Sequence, residues 1–171
     1  MTNQFEEMSR GANVADVPQR ATGWRAIAVA GTVAGVLDLA YIVVFYAIRF
    51  PEVGAIRLLQ GIAAGLIGRD AARSGGAATA ALGGAIHFAI ALTVAAVFYA
   101  LSRRFKLLTQ RPIICGAGYG VAVWLVMNLV VLPLTATPPK SFPPPLWLPV
   151  LIAHVVCVGI PIAIVVRRTA R

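Results

Sequence analysis

At 171 residues the chain is 59% hydrophobic and only 12% charged, with a mean hydropathy of +0.82, which excludes an ordinary soluble domain and leaves room for one helical membrane bundle. The net charge of +9 would suggest nucleic acid in a soluble chain. Here Lys and Arg sit almost wholly between apolar runs, where they orient helices and meet anionic headgroups, so the lipid bilayer and no nucleic acid is the expected partner.

Residues 1–23, MTNQFEEMSRGANVADVPQRATG, are polar and read as a disordered cytoplasmic tail without the apolar core of a secretory signal, which makes the first span an uncleaved anchor. One membrane domain is expected over 24–171. Its first span is Ala26–Ile48, apolar except for Thr32, Asp38 and two tyrosines. As a helix it covers roughly 34 Å, enough to cross a hydrocarbon core of about 30 Å. Gly31, Gly35 and Asp38 fall on one face, a small-residue seam for a neighbouring helix.

Pro51 and Gly54 stop that helix. The apolar stretch from Ala55 to Gly68 is too short to span and carries Arg57 and Gln60, so it reads as an amphipathic or re-entrant helix, its apolar stripe being Ile56, Leu59, Ala63 and Leu66. Asp70 is placed to pair with Arg73, and the segment runs to about residue 74. A five-span arrangement that uses 55–68 is the alternative, and Arg57 speaks against it.

The second span is Ala77–Leu101, with Gly83 and Gly84 in its small-residue half and His87 near its middle. A basic loop with Arg103, Arg104, Lys106 and Arg111 leads to the third span, Ile113–Leu134, which holds Gly116-xxx-Gly120 and Asn128. That glycine pair reads as packing within the bundle, with dimerisation as the sharper alternative. A proline-rich connection, Thr135-ATPPKSFPPP, precedes the fourth span, Leu146–Val166, with Pro149 in its first turn and Pro161 expected to kink it. Ten of the fifteen Lys and Arg residues flank the ends that share a side with the N-terminus, so both termini are expected to be cytoplasmic.

Asp38 is the only acid inside a span and His87 and His154 are the only histidines in the chain. Counted from the span midpoints, all three fall within a slab roughly 3 Å thick, while Asn128 lies about 7 Å outward. A midplane acid costs about 2.5–3.5 kcal/mol on insertion scales and calls for a partner. The candidate polar cluster is therefore Asp38, His87, His154 and Asn128, and the candidate packing glycines are Gly31, Gly35, Gly83, Gly84, Gly116 and Gly120.

Three readings of the cluster compete. The first is a hydrogen-bonded latch that holds the bundle in a protein without enzymatic activity. The second is a proton or ion path in a small proton-linked transporter or channel subunit, working as a homo-oligomer. The third is a metal or haem held by the two histidines, which no HxxxH or HxxE spacing supports, so no cofactor is expected. Cys115 and Cys157 lie in apolar runs with no CxxC, and Ser9, Ser74, Ser102 and Ser141 all lie outside the expected spans, so a serine nucleophile inside the membrane is not expected. No GxSxG, HExxH or phosphate loop is present. The ligand stays open.

The succession GTVAGVLDLAYIVVFYAIR, LLQGIAAGLIGRDAARSGG, ALGGAIHFAIAL and GYGVAVWLVMNLVVLPL, over residues 24–135, resembles uncharacterised small bacterial inner-membrane proteins. The resemblance implies a four-helix multi-pass protein of the bacterial inner membrane and no activity. The expected fold is thus an all-α integral membrane protein, an antiparallel bundle of four transmembrane helices with a short amphipathic helix between spans 1 and 2.

Overall fold

The computed structural model describes residues 17–137 and 144–169, with side chains from Gly23 onward in the first stretch and from Trp147 onward in the second. The first part of the expected tail and most of the proline-rich connection, Lys140 included, lie outside the described residues. Within them the chain is all helical, without a strand. The helices are α1 (Val17–Arg49), α2 (Ala55–Ile67), α3 (Arg69–Ser74), α4 (Gly76–Arg104), α5 (Leu107–Gln110), α6 (Pro112–Val126), α7 (Pro144–Ala153) and α8 (Ile160–Thr169). A π-helical stretch, Met127–Val131, and a short 3-10 turn, Leu132–Leu134, extend α6. A second π-helical stretch, His154–Gly159, joins α7 to α8.

Four of these continuous rods are long and apolar enough to cross a membrane: Gly23–Arg49, Gly76–Arg104, Pro112–Leu134 and Trp147–Thr169. Helices suit that environment because they satisfy their backbone hydrogen bonds internally, where lipid supplies no partner. The distribution of side-chain size agrees. Ala26, Ala30, Ala34, Ala95 and Ala163 are buried to 8% exposure or less, whereas Val36, Val44, Leu125, Leu129, Leu148 and Val156 are exposed. In water such an apolar exterior would drive association; against acyl chains it is solvated, and small residues inside let the helices approach.

The first span packs against the second and the fourth, and the fourth packs along the third. Phe98 and Ile162, both fully buried, fill the space between the alanines of the first span and Val158 and Val166 of the fourth. Gly31 admits the backbone of Leu92, which a Cβ there would meet at 2.8 Å, and Gly35 admits the ring of Phe88 at the same distance. Gly116, Gly120 and Gly159 let the third and fourth spans touch backbone to backbone: a Cβ on Gly120 would strike the His154 carbonyl, and one on Gly159 the Gly116 carbonyl. The Gly116-xxx-Gly120 pair is thereby occupied within the chain. Gly83 likewise lies against the Leu59 carbonyl of α2, but Gly84, expected among the packing glycines, has nothing within 4 Å of a Cβ position. It sits one residue round the helix from Gly83, off the contact face.

Several local expectations need correction. α1 begins at Val17, inside the stretch read as tail. Pro149 lies in the helix interior and not in its first turn, because the preceding prolines, with φ preset for helix, start α7 at Pro144. Ser102 lies in the last turn of α4 and is buried. Asp70 and Arg73 are both exposed and form no ion pair among the described residues, as expected where solvent leaves such a pair little to gain.

The short helix α2 splits its expected apolar stripe between buried and exposed positions. Its buried residues are Gln60, Ala63 and Ala64, while Ile56 and Leu66 point outward at 57% and 65% exposure. α2 packs along α4, and Gly68 (φ +84°) and Gly76 (φ +58°) supply the left-handed turns that lead out of α2 and into α4. The Ala136 amide donates to the Gly65 carbonyl at 2.8 Å and ties α2 to the end of the third span.

Candidate functional site: a chamber between the spans

Each span brings one helical stripe to a common cavity of about 150 Å³. The first contributes Ala34, Gly35 and Asp38; the second His87, Ile90, Ala91 and Val94. The third contributes Val123 and Met127, the fourth His154 and Val158, at i and i+4 in both cases. Ile62 of α2 completes the lining. Asp38, His87 and His154 therefore line one chamber, with apolar walls around them.

The widening has a cause in the sequence. Both π-helical stretches end two residues before a proline, Pro133 in one case and Pro161 in the other. A proline ring has no N–H to offer and crowds the carbonyl one turn back, so the preceding turn loosens to wider pairing. Met127 and His154 are the first residues of the two loosened stretches, and both line the chamber. The bend expected at Pro161 thus takes the form of a π-helical stretch beside the cavity.

The polar groups in the chamber do not bond to one another. His87 Nε2 donates to the Gly35 carbonyl of the first span at 2.9 Å, and His154 Nδ1 donates to the Val150 carbonyl of its own helix at 2.9 Å. A carbonyl oxygen only accepts, so each bond fixes which ring nitrogen carries the proton. In a neutral ring that leaves Nδ1 of His87 and Nε2 of His154 as acceptors, and neither has a partner among the described residues. Asp38, half-buried on the face that the sequence shares with Gly31 and Gly35, makes no hydrogen bond or ion pair among the described residues.

Asn128 is not part of this set. Its Nδ2 donates to the Trp124 carbonyl at 2.8 Å, inside its own helix, and it does not line the cavity. The carbonyl is near at hand because Asn128 lies in the loosened stretch, and an amide side chain readily bonds to local backbone there. The buried indole N–H of Trp124 has no partner among the described residues. Ser102 donates to the Tyr99 carbonyl at 2.7 Å, which occupies the hydroxyl.

Residue-type reasoning passed over Met127 and Ile62, which line the cavity, and Tyr119, whose hydroxyl donates to the Val94 carbonyl at 2.7 Å while its ring meets Phe98 edge-on at 5.0 Å. The signal for Met127 was its place six residues before Pro133, at the start of the stretch that the proline loosens. Among the described residues no three His, Cys, Asp or Glu side chains stand close enough to hold a metal ion.

No protein-family model matches the chain, and no curated protein or solved structure matches it. The geometry of the chamber is thus the basis for reading its chemistry.

Proposed function

We propose that the chain is a small proton-linked transporter or channel subunit of a bacterial inner membrane, with Asp38 as the group that accepts and releases the proton. The observation that carries this reading is an acid without a hydrogen-bond partner among the described residues, at the wall of a cavity it shares with two histidines. Buried ionisable residues in a membrane are costly and face cavities or pathways. Histidine changes charge near neutral pH and serves in proton relays. A latch would leave no such free acceptors. The bundle-holding reading keeps one supporting contact, His87 to Gly35 across two spans, and interhelical bonds of that kind contribute only about 0.6 kcal/mol.

The proposed arrangement is antiparallel. In support, Gly23 at the start of the first span meets the ring of Tyr99 near the end of the second, and Gly116 near the start of the third meets Gly159 and Ile160 in the second half of the fourth. With the termini in the cytoplasm, Arg25, Arg104, Lys106, Arg111, Arg167 and Arg168 flank the inner ends. α2 would then enter from the outer side as a re-entrant helix, its Ile56 and Leu66 toward lipid.

The test is proton entry into liposomes holding the purified chain and a luminal pH dye, driven by an imposed inside-negative potential. The wild type is expected to acidify the lumen, and Asp38→Asn, inserted to the same extent, is expected to lose that flux. Equal rates in the two, or a wild-type rate no faster than protein-free liposomes, would reject Asp38 as the carrier.

A further inference from the structure

We infer that the chamber is a binding site for a small organic ammonium ion, a protonated amine of roughly five or six heavy atoms. This deepens the proton-linked reading and rests on it, naming a cation that would compete with the proton for Asp38.

Three features of the cavity restrict what fits. The first is its hydrogen-bonding sense. Bonds to the Gly35 and Val150 carbonyls use up the one donor of each neutral imidazole. An ionised Asp38 only accepts. The chamber then offers three acceptors and no side-chain donor from these groups, so a ligand that fills it must bring N–H or O–H groups of its own. An anion or a carbonyl compound would be refused.

The second feature is charge. Asp38 is the only acid in the lining and has no cation beside it among the described residues. A ligand with one positive charge would neutralise it, and a cation held in an apolar, low-dielectric surround interacts with its counter-charge far more strongly than in water.

The third is size and wall chemistry. The cavity is partly open, and its volume of about 150 Å³ matches that at which a closed apolar interior takes up a six-carbon ring. Ile62, Ile90, Val94, Val123, Met127 and Val158 supply hydrocarbon and thioether surface, which suits an alkyl body better than a hydrated inorganic ion. A bare metal cation would need its ligands drawn together, and the three groups stand apart. An ammonium head with a short alkyl body meets all three conditions.

The experiment is calorimetric titration of the full-length protein in detergent micelles with n-butylammonium and, separately, with tetramethylammonium. The two ions have the same charge and the same number of heavy atoms, but only the first carries N–H donors. Saturable n-butylammonium binding, at least about tenfold tighter than tetramethylammonium, is expected from the value of hydrogen bonds to a charged group. Asp38→Asn, checked for unchanged thermal unfolding, is expected to abolish it. Equal affinity for the two ions, or n-butylammonium binding that survives Asp38→Asn, would overturn the inference. Absence of saturable binding while Asp38-dependent proton flux persists would overturn the amine site and leave the proton pathway standing. Binding without that flux would sink the proton pathway and support the site.

Discussion

His87 Nε2 lies 2.9 Å from the carbonyl oxygen of Gly35, 52 residues away in sequence, and so ties the second span to the first at the wall of the chamber. The contact depends on glycine at position 35, where a Cβ would run into the Phe88 ring at 2.8 Å. The same close approach positions Asp38, one turn further along the first span, in the cavity lining to which His87 also belongs. One small residue therefore sets both the packing of two helices and the placement of two ionisable groups.

Glycines at backbone contacts should be intolerant, and a glycine facing open space should not. Gly120→Leu would drive a side chain into the His154 carbonyl and Val155. Overpacking of this kind costs about 1–3 kcal/mol, visible as a lower thermal unfolding midpoint in detergent. Gly84→Ala is expected to be neutral or stabilising by about 0.5–1 kcal/mol, since a helix interior favours alanine. Equal losses in both variants would contradict the packing described.

The proline at 161 should matter to the chamber more than to stability. Pro161→Ala returns an N–H to the backbone and lets His154–Gly159 close to an ordinary α-helix. The midpoint of unfolding is expected to hold or rise while proton flux falls severalfold. Flux at the wild-type level would mean that the loosened turn does not shape the pathway.

Gln60 anchors the short helix through its amide, which donates to the Gly76 carbonyl at 3.0 Å and lies 3.5 Å from Thr79 Oγ1. Gln60→Leu removes those contacts at a cost of about 1 kcal/mol. Amide hydrogen exchange should quicken across Ala55–Ile67 and stay unchanged in the four long helices. Faster exchange throughout would show that α2 is not a separately anchored element.

Orientation can be read by cysteine labelling once Cys115 and Cys157 are replaced by alanine. A cysteine at Gln110, in the basic loop, should react only with reagent on the cytoplasmic side, and one at Glu52 only from outside. Reaction of the Gln110 position from outside would reverse the topology.

Much of the architecture was legible in the chain, and for a physical reason. The runs around Asp38, His87, Asn128 and His154 are long enough to cross a bilayer, and helical rise converts position into depth, so the common level of Asp38, His87 and His154 could be counted. Three things could not. Which partner a histidine chooses depends on local backbone, and Gly35 and Val150 offered carbonyls nearer than any second ionisable group. Asn128 went the same way, to Trp124. The split of the α2 stripe into a buried Ala63 and exposed Ile56 and Leu66 could not be read off, because periodicity marks a face as apolar without saying what lies against it. The π-helical stretches were foreshadowed by Pro133 and Pro161, but a proline announces a disturbance without saying which form it takes.

The claim beneath all of this is that both histidines are held by backbone carbonyls, each with an acceptor nitrogen left without a partner among the described residues, in the chamber that Asp38 also lines. Nitrogen-15 NMR of histidine-labelled protein in lipid tests it directly, since the two ring nitrogens of a neutral imidazole have distinct shifts. The expected result is two opposite tautomers, the proton on Nε2 for His87 and on Nδ1 for His154, with assignments made from His87→Ala and His154→Ala and both unchanged in Asp38→Asn. A shared tautomer, or a ring whose proton moves when Asp38 is replaced, would show that the three groups bond to one another and would contradict the account.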